Sequence, residues 1–140
     1  MSTESQRKTP HLTHIAAPDG VASGTGYTQV VTGRGRLVAV SGQVAFDEER
    51  RLVGAGDPKA QARQIFENLR RCLAAAGADF SDVVKLTYFL TDIGHLAAVR
   101  EARDEFFGDT PLPASSAMQV AALFLPEVLI EIEAFAVVPE

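Results

Sequence analysis

Apolar residues recur every three to four positions at Ala62, Ile65, Phe66, Leu69, Cys72, Leu73 and Ala76, a spacing that predicts an amphipathic helix. Both of its ends are signalled: Asp57 followed by Pro58 reads as a cap and first turn, and Gly77 stops the run. The same spacing returns over residues 95–107 through Leu96, Val99, Ala102 and Phe106, predicting a second helix. Elsewhere the pattern suits strands. Residues 27–32 and 36–44 are β-rich and are separated by Gly33, Arg34 and Gly35, a hairpin signal, and residues 51–53 are a candidate short strand. Residues 83–91 (VVKLTYFLT) are β-branched and aromatic, and residues 114–123 and 128–138 give two more strands with a turn near Pro126. The order ββ(β)αβαββ predicts an α+β two-layer sandwich with both helices on one face of the sheet. Residues 1–23 carry Pro, Ser, Thr and Gly without a period and are expected to be a tail or loop, leaving 24–140 as a single domain.

The last strand sharpens this picture. Ile130, Ile132, Ala134, Ala136 and Val138 point one way and suit a face covered by helices, while Leu129, Glu131, Glu133, Phe135 and Val137 point the other. Thr87 and Phe89 on the preceding strand are equally mixed. Two carboxylates among large apolar groups suit neither open solvent nor a sealed core; a subunit interface containing a cleft accounts for both.

Composition narrows the function classes. With 46% hydrophobic and 22% charged residues in 140, the chain can bury one core of its own. The net charge is -5 and basic residues cluster only in pairs such as Arg50-Arg51 and Arg70-Arg71, so a nucleic-acid partner is not expected. The first residues lack an apolar signal region and no apolar run approaches the ~18 residues of a membrane span, so a cytoplasmic protein with no membrane partner is expected. Cys72, the single cysteine, falls on the helix stripe and reads as buried filler. His11, His14 and His95 are too scattered for a metal site.

In order and spacing, GYTQVV (26–31), VAVSGQV (38–44), QARQIFENLRRCLAAAGAD (61–79), VVKLTYFLTDI (83–93), EFFGDTPLPASSAMQVAAL (105–123) and IEIEAFAV (130–137) together resemble the Rid family, also called YjgF/YER057c/UK114. The resemblance covers nearly the whole domain. It implies a chorismate-mutase-like fold and a homotrimer with a small-molecule cleft between subunits. It also implies hydrolysis of imines or enamines such as 2-aminoacrylate without metal or organic cofactor. In deaminase members the corresponding segment reads Pro-Ala-Arg-Ser, the arginine gripping a substrate carboxylate as a bidentate fork. Here it reads Pro113-Ala114-Ser115-Ser116, and the cysteine often found two positions beyond the arginine is Ala117. Efficient 2-aminoacrylate hydrolysis is therefore not expected.

The resemblance puts Tyr27 at the family's cleft tyrosine, Ser41 and Gly42 on the strand that offers small groups and a backbone amide to the ligand, and Glu131 at the acidic residue that handles water. Imine hydrolysis needs a positioned water and a proton shuttle, work a carboxylate partly desolvated in a cleft can do near neutral pH. Glu131 is the catalytic candidate, with an exposed or interface-paired carboxylate as its alternative. Tyr27 either orients ligand or water or simply packs. Ser115 and Ser116 are candidate ligand contacts, and no His-Asp partnership marks either as a nucleophile. Arg100 stands where many relatives carry an asparagine; it either reaches a ligand's anionic group or pairs with Asp104 four residues on. Two readings of function remain: a cofactor-free hydrolase of the deaminase type, or a non-catalytic small-molecule-binding or regulatory trimer.

Overall fold

A computed structural model describes residues 10–140. The elements run β1 (Leu12–Ile15), β2 (Val30–Gly33), β3 (Arg36–Gln43), α1 (Pro58–Ala75), β4 (Val83–Leu90), α2 (Leu96–Phe107), β5 (Ala114–Gln119) and β6 (Ile130–Val138). The α+β sandwich read from the sequence is the fold observed. Four strands form the main sheet in the order β3-β6-β4-β5, with β4 and β5 parallel and the other neighbours antiparallel. The final strand thus lies between β3 and β4, splitting what would otherwise be adjacent parallel strands joined by α1.

Helix α1 forms where the pattern requires. The Asp57 side chain accepts a hydrogen bond from the Ala60 amide, Pro58 opens the first turn, and the chain leaves the helix through Gly77 at φ 76°, a left-handed value suited to glycine. Its apolar stripe and that of α2 cover one sheet face. Ile65, Phe66, Leu69 and Leu73 meet Leu86, Tyr88 and Leu90 of β4 and all five inward residues of β6 in one continuous core. A cluster of Phe66, Phe80, Phe106 and Phe107, with centroids 4.9–6.3 Å apart, joins the two helices to the start of β4.

Three expectations change. The presumed N-terminal tail contains β1, which pairs antiparallel with β2, as Leu12 opposite Gly33 through Ile15 opposite Val30; residues 1–9 of that stretch lie outside the described residues. The hairpin expected around Gly33 to Gly35 is not the pairing adopted. β2 pairs with β1, whereas β3 turns away to pair with β6, whose long apolar face gives β3 far more burial. Gly35, at φ 146°, makes that turn hard against the carbonyl end of Val138, where a Cβ would overlap backbone. The candidate strand at 51–53 is a single bridge between Phe46 and Leu52.

The outer sheet face is as mixed as its alternation predicted. The registers set Phe135 beside Lys85, Glu133 beside Thr87, and Glu131 beside Phe89. Phe135 is 38% exposed and Leu37 on β3 67% exposed. Leu129 departs from the pattern: it precedes β6 and packs against the core. No helix among the described residues is long and apolar enough to cross a membrane.

Candidate functional site

The predicted site residues fall into two groups at opposite sides of the sheet. The first is built on β6 and β3. The β3–β6 register shifts between Val40 and Gln43, so Ser41 and Gly42 sit in a bulge beside β6. Glu131 projects from β6 onto this bulge. Its carboxylate lies over the Gly42 Cα, so close that a Cβ there would overlap the carboxylate, with Cδ at 2.8 Å. Gly42 is therefore glycine for room and not for an unusual φ. Glu131 and Gly42 line one end of a groove of about 1050 Å³ that runs between the 43–51 loop and α1, past Phe46, Asn68, Cys72 and Phe124.

Side-chain amides shape this groove and the entry to β6. Asn68 donates to the carbonyls of Val44 (3.1 Å) and Phe46 (2.9 Å) and accepts from Gln64 (2.9 Å), tying the loop to the helix. Gln61, fully buried, donates to the carbonyls of Gly54 (3.2 Å) and Glu127 (3.0 Å) and accepts from the Leu129 amide (3.0 Å). It thereby fixes where the chain enters β6, two residues before Glu131. The rim is charged: Asp47, Glu48, Glu49 and Glu67 are set among Arg50, Arg51 and Arg71. Hydrogen bonds from Arg70 and Arg71 hold the Glu67 carboxyl down at about 2. Cys72 is half-buried against the core, largely the filler its spacing suggested, with one side on the groove.

The second group lies by β5 and α2. Gly24 lets the Tyr27 ring fold back over the chain, since any Cβ at 24 would overlap that ring. Thr28 then anchors the segment, its amide donating to the Pro113 carbonyl (3.1 Å) and its hydroxyl to Leu112 (2.7 Å), just before Ser115. Beneath Gly26, at φ 79°, lies the Arg100 guanidinium, whose Cζ would stand 3.2 Å from a Cβ. Tyr27, Arg100 and Ser115 thus come to one neighbourhood. Ser116 does not join them. It is opposite Thr87 on the outer face and accepts from Lys85 Nζ (2.9 Å), whereas Ser115, opposite Leu86, faces the helix side.

The Arg100–Asp104 pairing does not form. Asp104 is taken by its neighbour Arg103, at 3.0 Å from Nε and 2.9 Å from Nη2, and Arg103 also donates to the Gly26 carbonyl at 2.7 Å. Arg103, 4% exposed, Tyr88 and Gln61 were not singled out in the sequence. For Tyr88 a signal existed: it alternates with Leu86 and Leu90 on the core face, where a hydroxyl demands a partner. Burial pushes its phenol up, partly offset by the Arg103 and Arg100 guanidiniums.

Strands β3 and β5 are three positions apart, about 14 Å at the usual strand spacing, so within one chain Gly42 and Glu131 stand apart from Tyr27 and Ser115.

A split α+β sandwich, with a bulged strand that offers a glycine to a carboxylate and a glycine-rich segment folded over the second helix, defines a Rid-type domain. The chain belongs to the Rid family, YjgF/YER057c/UK114. The family model described as Endoribonuclease L-PSP matches residues 16–138. A RutC family protein of Pyrococcus abyssi is 39% identical over 102 residues, covering 73% of this chain and 79% of its own. Protein DfrA of Myxococcus xanthus is 43% identical over 98 residues, covering 69% of this chain and 74% of its own. Among solved structures, YyfB of the conserved Rid protein family from Yersinia pestis superposes with a TM-score of 0.83 at 34% identity, covering 91% of this chain and 99% of that one. RidA from the Antarctic bacterium Psychrobacter gives 0.68 at 36% identity, covering 94% and 100%.

Proposed function

We propose that the protein is a cofactor-free hydrolase of the deaminase type, acting on an imine, enamine or related activated small metabolite in the cytoplasm. The observation that carries this reading is the Glu131 carboxylate seated on Gly42 at the end of the groove. A water held by Glu131 attacks the iminium carbon, giving one proton to the carboxylate. That proton passes to nitrogen; as the C–N bond breaks, the hydroxyl proton goes to the freed carboxylate, the carbonyl product and ammonia leave, and Glu131 releases the proton to solvent.

The working unit is a homotrimer. Its support is the outer sheet face, with Leu37 67% and Phe135 38% exposed, and the separation of the two residue groups, which a neighbouring copy presenting its Tyr27 edge to the Glu131 groove would join into one cleft. Serine at 115 leaves no fork for an α-carboxylate there, so 2-aminoacrylate is a poor substrate. The charges along the groove speak against a nucleic-acid substrate: Asp47, Glu48, Glu49, Glu67 and Glu131 outnumber Arg50, Arg51 and Arg71.

Imines generated in situ from amines or amino acids by an oxidase provide the test. The protein should speed ammonia release and Glu131→Gln should abolish the effect, with light scattering giving three chain masses for both. A stable monomer removes the shared cleft. A trimer that binds such compounds without hydrolysing them makes this a binding module instead.

A further inference from the structure

Helix α2 carries two arginines three residues apart in opposite states. Arg103 is neutralised by Asp104 and bonded to Gly26. Arg100 has neither: its Nε is buried with no hydrogen-bond partner among the described residues, and no carboxylate pairs with it there. Behind it, the hydroxyl of Tyr88, in a side chain 2% exposed, is likewise buried without a partner. Two donors without acceptors in one neighbourhood are costly to keep, because each has given up water and its hydrogen finds no acceptor among the described residues.

The neighbouring positions carry small residues. On β5, Tyr88 is flanked on the same face by Ser115 and, directly opposite, by Ala117, both small. Above Arg100 the chain is glycine at 26, and any side chain there would press on the guanidinium. Ala117 is exposed and Ser115 half-exposed, so the β5 side of this neighbourhood is open.

We infer that Arg100 and Tyr88 form an oxyanion-binding subsite, and that the ligand is a small carboxylic acid gripped from helix α2 and not from strand β5. A carboxylate oxygen accepts from both the guanidinium and the phenol without offering a donor that would itself need a partner. An uncharged amide of the same shape presents an NH2 to these donors and fits less well. The inference rests on the proposed small-molecule cleft and names the chemistry of what enters it. The substrate would then be an imine whose carboxylate is placed for α2, a different placement from that of 2-aminoacrylate.

Butyrate and butyramide are matched probes, followed on the unmodified, uniformly 15N-labelled protein through the arginine Nε–H resonances. Butyrate should move the Arg100 signal and butyramide should leave it in place. Arg100→Ala should weaken butyrate about tenfold or more and Tyr88→Phe about threefold, with butyramide unaffected by either, as expected for one charged and one neutral hydrogen bond. Arg100→Lys keeps charge but loses the buried Nε–H, and should recover only part of the affinity. An unmoved Arg100 signal, equal binding of the two probes, or unchanged butyrate affinity in folded Arg100→Ala overturns the subsite. Imine hydrolysis that ignores Arg100 would refute this inference alone, whereas Arg100-dependent butyrate binding without hydrolysis would refute only the catalytic reading.

Discussion

Replacing Tyr88 by Phe should stabilise the free protein, an unusual expectation for a buried core position. The hydroxyl is desolvated in a side chain 2% exposed and lacks a hydrogen-bond partner among the described residues. An unsatisfied buried donor costs about 1–3 kcal/mol. Attraction to the nearby Arg103 and Arg100 guanidiniums returns part of that. Deleting one oxygen leaves a void of roughly 10–15 Å³, a penalty of about 0.3 kcal/mol. The balance is a gain of about 1 kcal/mol, or roughly 3 °C in Tm for a chain of this size. Thermal unfolding at fixed protein concentration measures it, and an absorbance titration gives a second reading because the chain has only two tyrosines. The difference between wild type and variant should isolate a phenol ionising above the ordinary value of 10.0. Its sign follows from linkage: a phenol raised in the folded state contributes stability below pH 10, lost as pH climbs through the folded value, so the variant should gain on wild type at high pH. A loss of more than about 1 kcal/mol would show that the hydroxyl is well bonded in the folded protein, and the reasoning behind the subsite would fall with it.

Other substitutions test separate links. Gly42→Ala should leave the fold intact, because the overlap falls on the mobile end of Glu131, while imine hydrolysis drops at least tenfold as the carboxylate is pushed off the bulge. Gln61→Ala removes three hydrogen bonds to loop backbone and should cost about 3 kcal/mol in urea unfolding; a loss under 1 kcal/mol would mean the 54 and 127–129 segments hold themselves. Glu67→Gln should matter only above acid pH. A carboxyl lowered from 4.5 to about 2 contributes stability that is present at neutral pH and lost as pH falls through that window. The pair is solvent-exposed, so the difference at pH 7 should stay below about 1 kcal/mol and vanish near pH 2.

Helix α1 and the two faces of β6 were legible because each depends on local spacing: Asp57, Pro58 and Gly77 mark ends, and alternate residues divide a strand whatever it pairs with. The β2–β3 hairpin was misread because Gly33 and Gly35 announce a turn without saying which strand awaits beyond it, and that choice is made by burial against β6, about a hundred residues later. β1 is four residues long and too short to show a period. At the site, Glu131 and Gly42 were singled out by family likeness, and nothing in the spacing announced the contact between them. The division of Ser115 from Ser116 was readable from alternation alone. Which arginine Asp104 holds was not, since i,i+4 spacing permits Arg100 and a side-chain rotamer selects Arg103.

The place of β6 bears on how the protein comes to be made. The centre of the sheet is filled by the last strand in chain order among the described residues, so during synthesis β3, α1, β4, α2 and β5 all emerge before the strand that joins them. Until then β3 and β4 present unpaired edges, and the apolar stripes of both helices cover an incomplete floor. The nascent chain should therefore remain protease-sensitive and a client for chaperones until Val138 clears the ribosome, and then close in one late, cooperative step.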